Sequence, residues 1–101
     1  MAAISIKAGP NAGQRLVLLS EKLTIGRSRQ SDLHLDDTAV SGNHAELRLE
    51  DGAWTLVDVG SSNGTEVNGD KVMSTRLREG DEVIIGSTRF IFRADEAVAE
   101  A

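Results

Sequence analysis

Apolar and polar residues alternate along much of the chain in short runs, and each run ends at a turn signal. Before residue 94 almost no stretch has the periodicity of a helix, whereas β-forming runs recur at intervals of roughly ten residues. Regular spacing of this kind is typical of a β-sandwich or a β-barrel, in which alternate side chains of each strand face the core. The pattern therefore predicts an all-β protein with about eleven short strands.

Three β-hairpins are predicted where two alternating runs flank a turn that contains glycine. The turns are Asp51-Gly52, Asn68-Gly69 and Gly86-Ser87, and the flanking runs are 44–50 with 53–58, 66–67 with 71–72, and 82–85 with 88–93. Asp-Gly and Asn-Gly favour tight hairpins because both residues of the turn adopt positive φ. Further strands are expected at residues 3–7, 14–18, 22–25, 33–34 and 76–77. Trp54, Phe90 and Phe92 are expected in the core, with the two phenylalanines on one face of their strand.

Size and composition limit the classes of protein that fit this pattern. The chain has 101 residues, of which 40% are hydrophobic and 27% charged, as expected for one soluble globular domain. It contains no cysteine, which excludes disulfides, a thiol nucleophile and cysteine-bound zinc or iron–sulfur sites. No apolar run approaches the ~18 residues of a membrane helix, and the first residues do not resemble a signal peptide. We therefore expect an intracellular, cytoplasmic protein that does not bind membranes.

The formal net charge of −5 argues against general nucleic-acid binding. Part of this charge belongs to the C-terminal end, where residues 94–101 are rich in alanine and acids. Without Asp95, Glu96 and Glu100, 13 acidic residues face 11 basic ones, so the body of the chain is nearly neutral. Such a body can carry a local cationic pocket. The acidic tail is too short for a stable isolated helix, and we expect it to be disordered.

Polar residues are concentrated in three predicted connections between strands. These connections are 25–29, directly after a strand, 40–44, directly before a strand, and 60–65, which is too long for a two-residue turn. They supply guanidinium groups, hydroxyls, side-chain amides and flexible backbone N–H groups, which are the donors of a phosphate site. Each connection alone is also explained by ordinary turn chemistry, so the interpretation depends on their joint presence.

Catalytic and metal-binding interpretations fail on their sequence context. Gly60-x-Ser62-x-Gly64 fits the nucleophile elbow of serine hydrolases, but that elbow requires a following helix and a later histidine. The segment after Ser62 is a predicted hairpin, and both His34 and His44 precede it. The two histidines lack further ligands at metal-binding spacing, and no P-loop sequence is present. We therefore expect no enzymatic activity, no metal and no cofactor.

The order and spacing of several motifs resemble the forkhead-associated (FHA) domain family. These motifs are Gly26-Arg27, Asp32-Leu33-His34-Leu35, Ser41-x-x-His44, Ser62-Asn63-Gly64-Thr65 followed by Asn68-Gly69, and Gly80-Asp81-x-Val83-x-Ile85-Gly86. The resemblance extends over residues 3–93. It implies an FHA-type sandwich of two twisted, mainly antiparallel sheets whose loops at one end bind phosphothreonine peptides. We accordingly expect the FHA domain in residues 1–93 and a separate tail in residues 94–101.

The resemblance assigns direct contacts with the phosphopeptide to a small set of loop residues. Arg27 would donate charge-assisted hydrogen bonds to the phosphate, and Ser41 would donate its hydroxyl to another phosphate oxygen. Ser62 would lie beside the phosphothreonine, and Asn63 would hydrogen-bond the adjacent peptide backbone. Gly42 would offer its backbone N–H. The arginine and the two hydroxyls match the phosphate oxygens in number.

Other residues would support the site, namely Gly26, His44, Gly64, Thr65 and Asn68. His44 resembles the family's structural histidine, which ties the binding loops together from below, and Gly26 would let the chain turn before Arg27. Many family members have a basic residue between the serine and the histidine, where this chain has Gly42 and Asn43. Arg29 and Asn43 are therefore accessory candidates.

The expected function is that of a phosphopeptide-recognition module that mediates phosphorylation-dependent protein–protein interaction in signalling. Such a module would bind a phosphothreonine-containing protein. Three hydrogen bonds to the phosphate at roughly 1.5–3 kcal/mol each, together with backbone contacts, would give micromolar affinity. We expect it to be a monomer. The alternative is an assembly or scaffolding domain that binds an unphosphorylated protein through a sheet face.

Overall fold

The computed structural model of the protein describes residues 1–95, which form eleven β-strands and no helix. The strands are β1 (Ala3–Ala8), β2 (Arg15–Val17), β3 (Lys22–Gly26), β4 (Leu33–His34), β5 (Ala45–Glu50), β6 (Ala53–Asp58), β7 (Glu66–Val67), β8 (Asp70–Lys71), β9 (Ser74–Arg76), β10 (Glu82–Ile85) and β11 (Thr88–Arg93). The predicted all-β class and the number of strands are confirmed. Within residues 1–95 there is no helix that could cross a membrane.

Two sheets build the sandwich. The first has six strands in the order β2-β1-β11-β10-β7-β8, and the second has five in the order β4-β3-β5-β6-β9. All neighbouring strands are antiparallel except β3 and β4, which are parallel. The prediction of two mainly antiparallel sheets is therefore confirmed.

The hairpin turns explain where the strands begin and end. Asp51 and Gly52 have φ values of 52° and 78°, and Asn68 and Gly69 have 53° and 90°, as two-residue turns with positive φ require. The second turn pairs Val67 with Asp70, so β8 occupies residues 70–71 and the predicted run 71–72 is one residue too late. The strand expected at residues 76–77 lies instead at 74–76, because it pairs with residues 55–57 of β6.

The core lies between the two sheets. Its largest fully buried apolar side chains are Phe90, Phe92, Ile4, Ile6, Val83 and Ile85 from the first sheet, Ile25, Leu47 and Leu56 from the second, and Leu35 and Val40 from the segment between β4 and β5. The two phenylalanines share a buried face, as predicted. Trp54 packs against this core but is only half-buried, and it pairs with exposed Leu49 near the end of the β5–β6 hairpin.

Three connections meet at one end of the second sheet. They are called loop A (residues 27–32, between β3 and β4), loop B (residues 35–44, between β4 and β5) and loop C (residues 59–65, between β6 and β7). Ala45 at the start of β5 pairs with both Ile25 near the end of β3 and Asp58 at the end of β6. The antiparallel order therefore brings the polar connections singled out from the sequence to the same end, which is called the loop face below.

The predicted tail begins at residue 94. The described part forms a turn in which the Ala94 N–H donates to Glu79 Oε1 at 2.7 Å. Residues 96–101 lie outside the described residues, so the disorder expected for residues 94–101 stays a prediction there.

Candidate functional site

Loops A and B are joined by backbone hydrogen bonds at the end of β3. The Arg27 N–H donates to the Ser41 carbonyl at 2.9 Å, and the Ser28 N–H donates to the Gly42 carbonyl at 3.1 Å. This close approach explains Gly26, because a Cβ at that position would lie 2.0 Å from the Gly42 carbonyl oxygen. Gly26 is the last residue of β3 and has no positive φ, so steric room, rather than the expected turn, is what requires glycine.

The Ser41 hydroxyl connects loop B with loop C. The Ser62 N–H donates to Ser41 Oγ at 2.9 Å, so this oxygen already accepts a hydrogen bond from within the domain. A hydroxyl carries one proton to donate besides its acceptor lone pairs. The Ser41 proton is thus left for an acceptor outside the domain, and the Ser62 side chain lies exposed beside it.

Asn63 forms a second bridge between loops B and C. Its side-chain Nδ2 donates to the Ala39 carbonyl at 2.9 Å. The amide oxygen then remains as an acceptor on an exposed residue. An amide oxygen can accept the backbone N–H of an extended peptide, which is compatible with the role that the resemblance implies.

His44 lies fully buried beneath the loop face and holds it together. Its Nδ1 accepts the Ser41 N–H at 3.1 Å, and its Nε2 donates to the Gly64 carbonyl at 2.9 Å. These partners assign a neutral ring with its proton on Nε2. The His44 carbonyl also accepts the Val59 N–H at 3.1 Å, and the His44 backbone N–H donates to the Ile25 carbonyl. One residue thereby connects β3, loop B and loop C.

Asp58 organises loop C, but it was not among the site residues predicted from the sequence. Its Oδ1 accepts the N–H groups of Gly60 and Ser61 at 2.9 and 2.8 Å, and its Oδ2 accepts the hydroxyls of Ser61 and Thr65 at 2.5 and 2.8 Å. The Ser61 hydroxyl in turn accepts the Gly64 N–H at 2.9 Å. The available signal was an aspartate at a strand end two residues before glycine, which is typical of an Asx-turn.

The ionisation of Asp58 reflects this network. Burial alone raises the pKa of its carboxyl, but the hydrogen bonds from Ser61, Thr65 and Gly60 outweigh burial and leave the pKa below its ordinary value. A carboxyl whose pKa is lowered on folding stabilises the fold above its unfolded pKa of about 3.9. That contribution is lost as the pH falls through the lower folded value.

We expect Asp58→Asn to lower the free energy of unfolding at pH 7 by about 2 kcal/mol, because an amide nitrogen cannot accept the hydroxyl hydrogen bonds. The difference from wild type should shrink as the pH falls from 5 toward 3, since the wild-type carboxyl then loses its own contribution. Urea unfolding of wild type and variant at pH 7 and at pH 3 measures this difference. Asp51→Asn is the matched control, because exposed Asp51 occupies a turn with positive φ that asparagine also tolerates. An equal deficit of Asp58→Asn at both pH values would contradict the assigned role.

A second aspartate, Asp37, ties loop B to the first sheet, and it too was not among the predicted site residues. Asp37 Oδ2 accepts the Ser87 N–H and hydroxyl at 2.8 and 2.7 Å, and its Oδ1 accepts the Ala39 N–H at 2.9 Å. The backbone hydrogen bonds of Ser87 and Ala39, followed by the Ser87 hydroxyl, lower the pKa of Asp37. Loop B is thereby fixed against the turn of the β10–β11 hairpin.

Exposed, unpaired guanidinium groups stand beside this scaffold. Within residues 1–95 the side chains of Arg27 and Arg29 make no hydrogen bond or ion pair, whereas Arg48 and Arg89 pair with glutamates. All the N–H donors of Arg27 are thus available one residue beyond β3. Arg27 is joined through its backbone to Ser41, so a cation and a free hydroxyl proton belong to one rigid cluster.

The remaining predicted residues take different places. Gly42 and Asn43 lie exposed in loop B. Thr65 is fully buried and bonded to Asp58, so it supports loop C from within. Asn68 lies in the turn between β7 and β8, where its side chain bonds Asp81 and the N–H of Glu82. Asn68 therefore supports that hairpin and lies outside the three loops. Among residues 1–95 no cluster of three or more potential metal ligands is found.

Fold and site together define a class of protein. The loop face lies at one end of a two-sheet sandwich and presents exposed loop residues, together with a guanidinium and a hydroxyl proton that have no partner within residues 1–95. Such an arrangement is that of an anion-recognition domain that binds its ligand through loops.

Comparison with known proteins gives the family. The family model of the FHA domain matches residues 23–86, and the chain belongs to the FHA domain family. The chain is 50% identical over 91 residues to the glycogen accumulation regulator GarA of Mycolicibacterium smegmatis, and the match covers 90% of this chain and 58% of that protein. It is 47% identical over 96 residues to the oxoglutarate dehydrogenase inhibitor of Corynebacterium efficiens, covering 95% of this chain and 68% of that one. The chain thus spans between 58% and 68% of the length of these two relatives.

Solved structures support the same conclusion. The FHA domain of FhaA, complexed with the intracellular domain of Rv3910, has a TM-score of 0.82 and 30% identity, covering 92% of this chain and all of that one. An FHA domain from a study of phosphothreonine-dependent FHA domain interactions has a TM-score of 0.83 and 29% identity over 96% of this chain and all of that one. The resemblance inferred from the sequence motifs is therefore confirmed at the level of family and fold.

Proposed function

We propose that this FHA domain binds phosphothreonine-containing protein segments through its loop face and so mediates phosphorylation-dependent protein–protein interaction. One observation carries the proposal. The unpaired Arg27 side chain stands on the same hydrogen-bonded cluster as the Ser41 hydroxyl, whose oxygen accepts the Ser62 N–H and whose proton has no acceptor within residues 1–95. Both groups are left to donate to an anion.

The chemistry of the ligand matches these donors. A phosphothreonine carries a charge of about −1.5 to −2 and three acceptor oxygens. In our proposal Arg27 and Ser41 donate to the phosphate, with Ser62 and the Gly42 N–H beside it, and Asn63 accepts from the peptide backbone. Arg29 and Asn43 are accessory candidates because both are exposed in loops A and B. Three charge-assisted hydrogen bonds at roughly 1.5–3 kcal/mol each, together with the backbone contacts, would reach the ~8 kcal/mol of micromolar affinity.

The relatives support a regulatory role without catalysis. One relative is named a glycogen accumulation regulator and another an oxoglutarate dehydrogenase inhibitor, and a structural neighbour belongs to a study of phosphothreonine-dependent interactions. We accordingly propose that this chain is a recognition module, acts inside the cell as a monomer, and has a phosphoprotein as its partner. The first 93 residues would suffice for this function.

The scaffolding alternative needs an apolar sheet face, and little in the structure favours one. Within residues 1–95 the exposed large hydrophobic side chains are Met1, Leu19, Leu49 and Met73. Of these, only Leu49 lies in a strand. A phosphorylation-independent contact through a sheet face is accordingly ranked second, after phosphothreonine binding.

A titration with degenerate peptides in three forms tests the proposal. The forms carry phosphothreonine, phosphoserine or unmodified threonine at a fixed position. We expect micromolar binding of the first, binding of the second weaker by roughly fourfold or more because it lacks one methyl group, and none of the third. Equal binding of all three forms would make the phosphate irrelevant and favour the sheet faces instead.

A further inference from the structure

The outer face of the five-stranded sheet carries basic side chains in one line across its strands. Lys22 of β3 pairs directly with Arg48 of β5. Thr55 of β6 pairs with Arg48 on one side and with Arg76 of β9 on the other. Successive side chains of a strand point to opposite faces, and the leucines next to these residues on β5, β6 and β9 lie in the core. The four side chains therefore point away from the core, and this line is called the basic row below.

The basic row breaks the usual charge pattern of paired strands. Lys22 and Arg48 are directly opposite each other, where Cβ atoms lie about 4.5–5.5 Å apart and like charges destabilise the pair. The carboxylate that compensates them is shared, since Glu46 lies 2.9 Å from Arg48 Nε and 3.7 Å from Lys22 Nζ. Within residues 1–95 the Arg76 side chain makes no hydrogen bond or ion pair. Three cations and one carboxylate thus leave an excess of two positive charges.

This excess is local and narrow. The whole chain has a formal net charge of −5, and Arg89 on the other sheet has a carboxylate of its own, that of Glu82 at 2.8 Å. Glu46 flanks the basic row on the side of the loop face, and exposed Glu50 flanks it on the side of the β5–β6 turn. A broad polyanion such as a nucleic acid would meet these two acids, whereas a single line of carboxylates lies between them.

The length of the basic row matches an extended peptide. Neighbouring strands lie about 4.8 Å apart, so the three steps from Lys22 on β3 to Arg76 on β9 span about 14 Å. An extended peptide advances about 3.3 Å per residue and points alternate side chains to one face. Three acidic side chains at alternate positions therefore span about 13 Å on one face of the peptide.

We infer that the basic row is a second interaction surface of this domain, which docks an extended protein segment with aspartate or glutamate at alternate positions. The segment would supply a carboxylate to Arg76 and relieve the repulsion between Lys22 and Arg48. Five residues, or about 16 Å, separate Lys22 from Arg27, so this surface is distinct from the loop face. The inference does not depend on phosphothreonine binding.

Titration with an unphosphorylated acidic peptide tests the surface. The peptide is Ser-Glu-Ser-Glu-Ser-Glu-Ser with both ends capped, and it is added to ¹⁵N-labelled protein at low ionic strength. We expect amide shifts at residues 22, 48, 55 and 76, with the loop-face amides at 27–28 and 41–42 unmoved. Exposed ion pairs are screened by salt, so affinity should fall about fivefold or more between about 20 and about 200 mM salt. The same composition with three consecutive glutamates should bind at least about twofold more weakly.

Arg76→Glu should weaken binding of the alternating peptide about fivefold or more, because it replaces an attraction by a repulsion. Lys7→Glu is the matched control. It makes the same change of charge at an exposed lysine of β1, in the other sheet, which also has no partner within residues 1–95. This control should change the affinity by less than about twofold.

Four results would overturn the inference. They are no binding of the peptide, shifts confined to the loop face, an equal loss of affinity in Arg76→Glu and Lys7→Glu, and tighter binding at the basic row of a single-stranded oligonucleotide with three phosphates. Because the acidic peptide carries no phosphate, none of these results bears on the proposed binding of phosphothreonine. Failure of phosphothreonine peptides at the loop face would likewise leave the basic row in place.

Discussion

Arg27→Ala is expected to weaken binding of a phosphothreonine peptide by about 100-fold or more. The lost guanidinium would remove at least two charge-assisted hydrogen bonds, each contributing roughly 1.5–3 kcal/mol. The free energy of unfolding should stay within about 0.5 kcal/mol of wild type, because the exposed Arg27 side chain has no partner within residues 1–95. Calorimetric titration with the peptide and a thermal melt of each protein measure the two effects.

Two further variants sharpen this test. Arg27→Lys keeps the charge but lacks the planar fork of donors, so its affinity should lie between those of wild type and Arg27→Ala. Arg29→Ala removes another exposed arginine, two residues away, that has no partner within residues 1–95, and we expect the affinity to fall only a few-fold. Retained affinity in Arg27→Ala, or an equal loss in Arg29→Ala, would contradict the assignment of Arg27 to the phosphate.

His44→Ala is expected to lower the free energy of unfolding by about 3 kcal/mol. The substitution leaves the Ser41 N–H and the Gly64 carbonyl without the partners they have now, and it removes a fully buried ring. A loss of this size is a large part of the total stability of a small domain. Urea unfolding monitored through the fluorescence of Trp54 provides the measurement.

The other histidine serves as the control for this variant. His34 lies half-buried in β4, and within residues 1–95 its ring makes no hydrogen bond. We expect His34→Ala to cost about 1 kcal/mol or less. Similar stabilities of His44→Ala and wild type would show that the ring does not connect the loops.

Much of the fold follows from local chemistry that can be read in the sequence. Asp51-Gly52 and Asn68-Gly69 demand tight turns, and each places the two flanking strands in one register. The half-burial of Trp54 could not be read locally, because the burial of a strand residue depends on what packs against its face and not on the alternation of its own strand. The same holds for β9, whose position is set by its pairing with β6 rather than by its own residues.

The functional site, like the fold, could be predicted only in part from the sequence. Motif spacing placed Arg27, Ser41 and Ser62 among the candidates, and the antiparallel order of β3, β5 and β6 brings their loops together. Asp37 escaped prediction because its partner Ser87 is 50 residues away, so no local spacing marks the contact. The constraint on Gly26 likewise comes from a distant carbonyl in loop B, which only the folded structure brings near.

The central claim is that phosphothreonine binds at the loop face, and amide chemical shifts during a peptide titration test it most directly. We predict that the largest shifts of the ¹⁵N-labelled protein fall at residues 27–28, 41–42 and 62–63, and that the unphosphorylated peptide leaves them unchanged. In Arg27→Ala the same amides should no longer shift at equal peptide concentration. Shifts concentrated at residues 17–23 or along a sheet face, with the loop amides unmoved, would contradict the account.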